Sequence, residues 1–458
     1  MKKYFILAVA AIAVLSGCKK DNNGEAGSFT ATIEQSSAKT TLDGNNNNEV
    51  YWKENGEQII INGVVFTGTR DATNYTCATF TNNSASHCYP IDDYYKAYYP
   101  TSLYQDGTYK LPAEQTYDAA TNGISNLPMY AQCSSDQTNL VFHNLCAVLE
   151  ITVNSSDVSS VDSIVVKSDK QMNGAFTADA SGVLTFCAGT LTAANKKVKL
   201  VANSPVTINA NESKIFRIAI PENEAHNLII RVYNGATCRV MATKNVSGLN
   251  IVRNHIYPIT FVENAVQLWA GSPCFATFNL GATSPEQYGD YYAWGATAPS
   301  TNNNYSQSVA PFYSNSSYTM YNSYDNKTTL DSEYDAATQT WGSNWRMPTY
   351  SDFDNLLNTA NATQQMGNIS GGAVYGCTFT GNGDYLSHSI FLPAAGHRYS
   401  NNNDNTLRSA GEKGCYWSRS LDTDDRAKAR YLHFESSSRE RRSYVRYNGF
   451  SVRPVLSE

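Results

Sequence analysis

Three histidines, His388, His397 and His433, and two cysteines, Cys377 and Cys415, are among the side chains in the second half of the chain that suit nucleophilic or acid–base chemistry. None of the histidines lies in an HExxH pattern or beside GxSxG, the spacings that hold a metal or activate a serine. Nothing in the sequence pairs the two cysteines, which read as ordinary core or disulfide residues. Asp422, Asp424 and Asp425 offer the carboxylate oxygens that calcium takes. LDTDDRA lacks the spaced acids and turn glycine of an EF-hand loop, so it reads as a solvated acidic turn. Trp294, Trp341, Trp345 and Trp417, with Arg346, have the chemistry of a sugar platform, but their setting among Gly and Pro points to a core. The expectation is no catalytic residue, no metal and no cofactor. Recognition then belongs to loops on a rigid scaffold. The candidates are YSNNNDNTLRS, with Tyr399, Asn401, Asn403 and Asp404; LDTDDRA, with Asp422, Asp424 and Asp425; and SSSRERR, with Arg439.

These loops need elements to hold them. TWGSNWRMPTYSDFDNLLNTA predicts a helix: Thr349 and Asp352 form a capping-box pattern after Pro348, and Phe353, Leu356, Leu357 and Ala360 make one apolar stripe. A shorter helix before it places Leu330, Tyr334, Ala337 and Trp341 on one face, with Gly342 as its stop. Helices this short persist only when packed on a sheet. Upstream the period is two. Phe29, Ala31 and Ile33 alternate with polar residues, as do Phe216, Ile218 and Ile220, and Leu228, Ile230 and Val232. No helix is expected before about residue 325, so the chain reads as mainly β with a C-terminal α+β module.

The first residues are Lys2 and Lys3, an apolar run from Tyr4 to Leu15, then Ser16, Gly17 and Cys18. The run is too short to span a bilayer, which takes about 20 residues, and reads as a signal peptide over 1–17. Leu15-Ser16-Gly17-Cys18 resembles the lipobox of bacterial lipoproteins. That resemblance implies acylation of Cys18, attachment to outer-membrane lipid, and a tether over 18–28, with Lys19 implying outer-membrane sorting. Nine cysteines follow Cys18, an odd number, so at least one thiol is free; most read as small buried hydrophobes. A net charge of −6 gives no footprint for nucleic acid.

Several blocks in order resemble the fimbrillin-like superfamily of Bacteroidetes pilins and pilin-like lipoproteins: FTATI, YWKENGEQIIING, AYYP, NLPMYAQ, FHNLCAVLEITV, IFRIAIPEN and NHIYPITFV. The resemblance implies two β-sandwich subdomains, 29–153 and 154–262. It also implies proteolytic trimming at Lys39, leaving Thr40 as the new start. Phe29, Ala31 and Ile33 would then be a removable plug, and other pilus subunits would join by β-strand addition. The alternative is an uncleaved first strand in a closed sandwich.

A second set, FATFNLGATSPEQYGDYYAWGAT, LDSEYDAATQTWGSNWRMPTYSDFDNLL, IFLPAAGHRY, GCYWSRSL and GFSVRPV, resembles the Fibrobacter-type major paralogous (FISUMP-like) domain, similar in fold to C-type lectin-like domains, over 264–458. Together the resemblances imply a lipid-anchored, surface-exposed outer-membrane protein. It would be an accessory or tip-like pilus subunit that adheres through a lectin-like domain to a glycan or protein ligand. The alternative is a free-standing surface glycan-binding lipoprotein. A formylglycine-generating-like enzyme is the most weakly supported class.

Overall fold

The structure is a computed structural model that describes residues 26–34, 51–52, 55–124, 126–155, 158–189, 191–235, 237–242, 249–369, 372–399 and 406–457. The chain is mainly β and divides into two compact units.

The first unit comprises Met1–Leu111, Asn126–Cys146 and Ala175–Cys187. Its strands β1 (Ser28–Ile33), β2 (Asn55–Ile61), β3 (Val64–Arg70), β4 (Cys77–Thr81) and β5 (Tyr94–Tyr99) close into a barrel with the strands Met129–Ser134 and Asn139–Asn144. Asn62 and Gly63 join β2 to β3 with φ of 46° and 86°. Two left-handed residues make the hairpin turn whose twist matches its strands, which is why Asn-Gly stands there. The alternation of β1 puts Phe29, Ala31 and Ile33 inside, all buried. Phe29 meets Phe66 and Tyr95 edge to face, at centroid distances of 5.3 and 4.9 Å.

In the second unit, Val148–Thr152 pairs in parallel with Ile256–Thr260. A nine-stranded sheet runs in the order Trp345–Arg346, Val455–Leu456, Cys274–Ala276, Ala265–Gln267, Thr237–Ala242, Leu228–Asn234, Ser160–Ser168, Lys197–Thr207 and Glu114–Thr116. Strands on either side of residue 263 therefore share one sheet. Asn264 stitches them. Its amide Oδ1 accepts from Ala242 N at 2.9 Å and its Nδ2 donates to Ala242 O at 2.8 Å, while its own N donates to Val240 O and its O accepts from Thr277 N.

Helix α1 (Ala336–Trp341) starts at Asp335, and Gly342 ends it at φ 92°. Helix α2 (Tyr350–Leu357) carries the capping box, Thr349 Oγ1 accepting from Asp352 N and Asp352 Oδ2 from Thr349 N. Phe353 and Leu356 are buried in a cluster with Phe379, Leu392, Leu432 and Phe434. The stripe is shorter than the sequence predicts, because Asn358 caps the helix and its side chain accepts from Ala360 N, leaving Ala360 exposed. SSSRERR also differs from its reading as a loop. Only its start turns, and Ser438–Val445 is a strand paired along its length with Lys428–Glu435.

Asp335 does more than cap. Fully buried, its carboxylate accepts from Ala337 N, Thr338 N and Met347 N at 3.0–3.1 Å, tying α1 to the chain that leads into α2. Asp335→Ala strands three buried donors and should lower the stability of the full chain by about 2–3 kcal/mol, read by denaturant unfolding. An unchanged midpoint would show that those donors find other partners.

Candidate functional site

Two regions carry the sequence-predicted residues. The first is the seat of β1. Parallel pairing joins β1 to Asn139–Asn144, with Thr30 opposite Asn139 and Ile33 opposite Phe142; antiparallel pairing joins it to β4, with Phe29 opposite Phe80. Main-chain bonds thus hold both edges and three apolar side chains fill the interior. The strand ends in a latch that sequence reasoning missed. The Glu34 carboxylate accepts from Asn144 N at 2.8 Å and meets His143 Nδ1 at 2.7 Å. A single glutamate closing an alternating run gives no sign of a partner so distant in sequence. Lys39 and Thr40 lie outside the described residues, as does Cys18.

The second region is the C-terminal module. Tyr399 lies 6.3 Å from Tyr447, ring to ring, tilted by 30°, and the Arg408 guanidinium sits 5.9 Å above Tyr399. Asn401, Asn403 and Asp404 lie outside the described residues. Asp422 turns inward. Its carboxylate accepts from Asp424 N and Asp425 N and pairs with Arg430 at 3.0 Å. Asp424 is outward, 3.5 Å from the same Arg430, and Asp425 pairs with Lys428 at 2.9 Å. Arg439 lies in the strand Ser438–Val445, opposite Phe434, and its charge works against the burial that raises the Cys377 thiol. The structure thus brings the three aspartates into one turn and sets Tyr399 against a second tyrosine. Among the described residues no group of three His, Cys, Asp or Glu is placed to hold a metal.

The acidic turn has an electrostatic consequence. Burial raises the Asp422 carboxyl, but Ser443, the Asp424 and Asp425 amides and Arg430 together hold it below its ordinary 3.8. Lys428 and the Ala427 amide hold Asp425 low, and Lys327 does the same for Asp331 against the raising effect of burial. A carboxyl lowered in the fold contributes stability that is present above 3.8 and lost as pH falls through its lowered value. Melting temperature should therefore fall as pH drops below about 4, and Asp422→Asn should start lower and lose less over that range. Equal acid losses in both proteins would remove Asp422 from the account.

The cysteines and histidines do not assemble. Cys377 belongs to the cluster under α2 and Cys415 to the tryptophan-rich cluster. Burial pushes their thiols up to about 11 and about 12. His433 stands opposite Cys415 across the strands, but burial lowers its pKa. A protonated thiol beside a neutral imidazole is not an activated nucleophile. None of the nine described cysteines is assigned to a disulfide, and six of them are buried. Trp294, Trp345 and Trp417 are fully buried and Trp341 nearly so. Trp294 Nε1 donates to Ser418 O and Trp417 Nε1 to Tyr292 O, so the tryptophans frame the interior. Arg346 pairs with Asp352 at 2.7 Å, bracing the start of α2.

The fold and sites define a mainly β chain in two compact units, with a first strand paired on both edges and two short helices between residues 336 and 357. No family model matches it, and no curated protein does. Solved structures similar to it include a candidate cell adhesion protein from Bacteroides ovatus, with 12% identity and a TM-score of 0.32 over 51% of this chain and 90% of that one. The tip fimbrial protein Mfa3 from Porphyromonas gingivalis, truncated at its C-terminus, has 11% identity and a TM-score of 0.23 over 51% and 95%. A fimbrial protein from Bacteroides ovatus has 9% identity and a TM-score of 0.22 over 94% and 99%.

Proposed function

We propose that this chain is a cell-surface adhesion protein, anchored in the outer membrane through acylated Cys18, that joins a pilus as an accessory or tip-like subunit. Segments 29–153 and 154–262 form its stalk, and 264–458 is a lectin-like recognition module. The observation that carries the reading is the seat of β1. A six-residue strand supplies three core side chains and is held on both edges by main-chain pairing. Its removal would leave two unpaired strand edges around an apolar slot, the geometry that an incoming strand fills.

The Glu34 latch favours a second reading, a free-standing surface lipoprotein whose barrel stays closed. The mass of the mature N-terminus, taken from native outer membrane, separates the two. A start at Thr40 supports strand exchange; a start at acylated Cys18 with Phe29–Lys39 intact, in protein absent from detergent-resistant fibres, removes it. No enzymatic role is proposed: Cys377 and Cys415, the candidate nucleophiles read from the sequence, lie in different core clusters with their thiols raised by burial.

A further inference from the structure

A cleft of about 400 Å³ opens in the second unit between the 293–311 segment and Tyr447. The ring of Tyr399 packs beside that of the lining residue Tyr447. The size of the cleft suits one or two sugar rings. Among the described residues its lining contains no Asp, Glu, Lys, Arg or His. A charged ligand would be desolvated there with no lining group of opposite sign. The polar lining is instead amide and hydroxyl, from Ser300, Asn302, Asn304 and their neighbours. These groups both donate and accept, as sugar hydroxyls do. Tyr447 adds an aromatic surface and Val309, more than half exposed, an apolar one.

The walls are built to hold their shape. Tyr305, buried, donates its hydroxyl to Tyr291 O and accepts from Ser300 N. Its ring lies so close to Gly449 that a Cβ there would come within 2.7 Å. Next to the lining residue Pro311, Phe312 sits at φ 61°, and Tyr321 at φ 54°. Bulky residues are rarely left-handed, and such strain persists only where surrounding packing enforces it. Here Phe312 packs on Tyr321 and Tyr334 at 5.2 and 4.9 Å, and the Arg446 guanidinium bonds the carbonyls of Met320 and Tyr321. A cleft fixed before its ligand arrives loses less on binding.

We propose that this cleft binds an uncharged saccharide, stacked on Tyr447 and hydrogen-bonded by the 300–306 segment. The inference rests on the recognition role proposed for the C-terminal module and names its ligand class and place. The full chain would be applied to an array of neutral, sialylated, sulfated and uronate-containing glycans. The strongest neutral oligosaccharide would then be titrated by calorimetry. Tyr447→Ala and Asn304→Ala should each weaken binding about tenfold or more. Val309→Asp, a change at an exposed position that leaves the core alone, should abolish it. Asp106→Asn, at an exposed position of the first unit, should leave affinity unchanged, and melting curves would confirm that each variant folds. Binding confined to acidic glycans, or binding that survives Val309→Asp, overturns the assignment while the recognition role stands. Cell adhesion that requires the chain with no glycan bound overturns the ligand class alone; loss of both overturns the role as well.

Discussion

Removing residues 1–34 should open the first unit, and adding back a peptide with the sequence GSFTATIE should close it. Phe29 is fully buried against Phe66 and Tyr95, with Ala31 and Ile33 beside it on the inner face. Phe29→Ala alone should cost about 3–5 kcal/mol. Loss of the whole strand also unpairs β4 on one side and Asn139–Asn144 on the other, so the effect should exceed that of any point change in the unit. Hydrogen exchange would show it as lost protection along β4 and along 139–144, with the second unit unaffected. The added peptide should restore protection in the parallel register that places its isoleucine opposite Phe142. A Phe-to-Asp version, which would bury a charge, should fail. Without peptide, the truncated chain should form concentration-dependent oligomers, since open edges pair with whatever strand is offered. Full protection in the truncated, monomeric chain would show that β1 is dispensable, and strand exchange would then lose its structural basis.

How much of this was legible in the residues depends on range. Alternation in FTATI and the Thr349–Asp352 box are short-range signals, and both stand in the structure as the sequence implies. The burial of the tryptophans was likewise readable from their setting. Signals that depend on partners far along the chain were not. Arg439 reads as a polar loop residue because SSSRERR is charged, yet the strand pairs with Lys428–Glu435 and Arg441 reaches Asp354 on α2 at 2.6 Å. The Glu34 latch and the uncharged cleft beside Tyr447 depend on residues that only folding brings together. Local pattern specifies elements, whereas sites arise from their meeting.

The same limit applies at residue 263, where composition changes but the sheet does not stop. Residues 264–458 produced alone should therefore fail to give a cooperative fold. The core cluster that holds Trp294, Trp341, Trp345 and Trp417 also contains Ile229, Val240 and Ala242 from the strands before the boundary. Ala265 is paired to Val240 across it. A fragment that begins at 264 exposes this apolar face and leaves the edge of Ala265–Gln267 open. In the intact chain, Asn264→Leu is the sharper test. It keeps the side chain's approximate bulk but withdraws both bonds to Ala242, whose N–H and C=O are then left unsatisfied. The expected cost is about 2–4 kcal/mol. The variant should unfold both sides of the boundary in one transition at lower denaturant, because they share a sheet and a core. Two separate transitions in Asn264→Leu, or a sharp melt of the isolated fragment, would show that the module is autonomous. One transition would mean that the strands on the two sides of residue 263 unfold as a single cooperative unit, held together by the sheet and core they share.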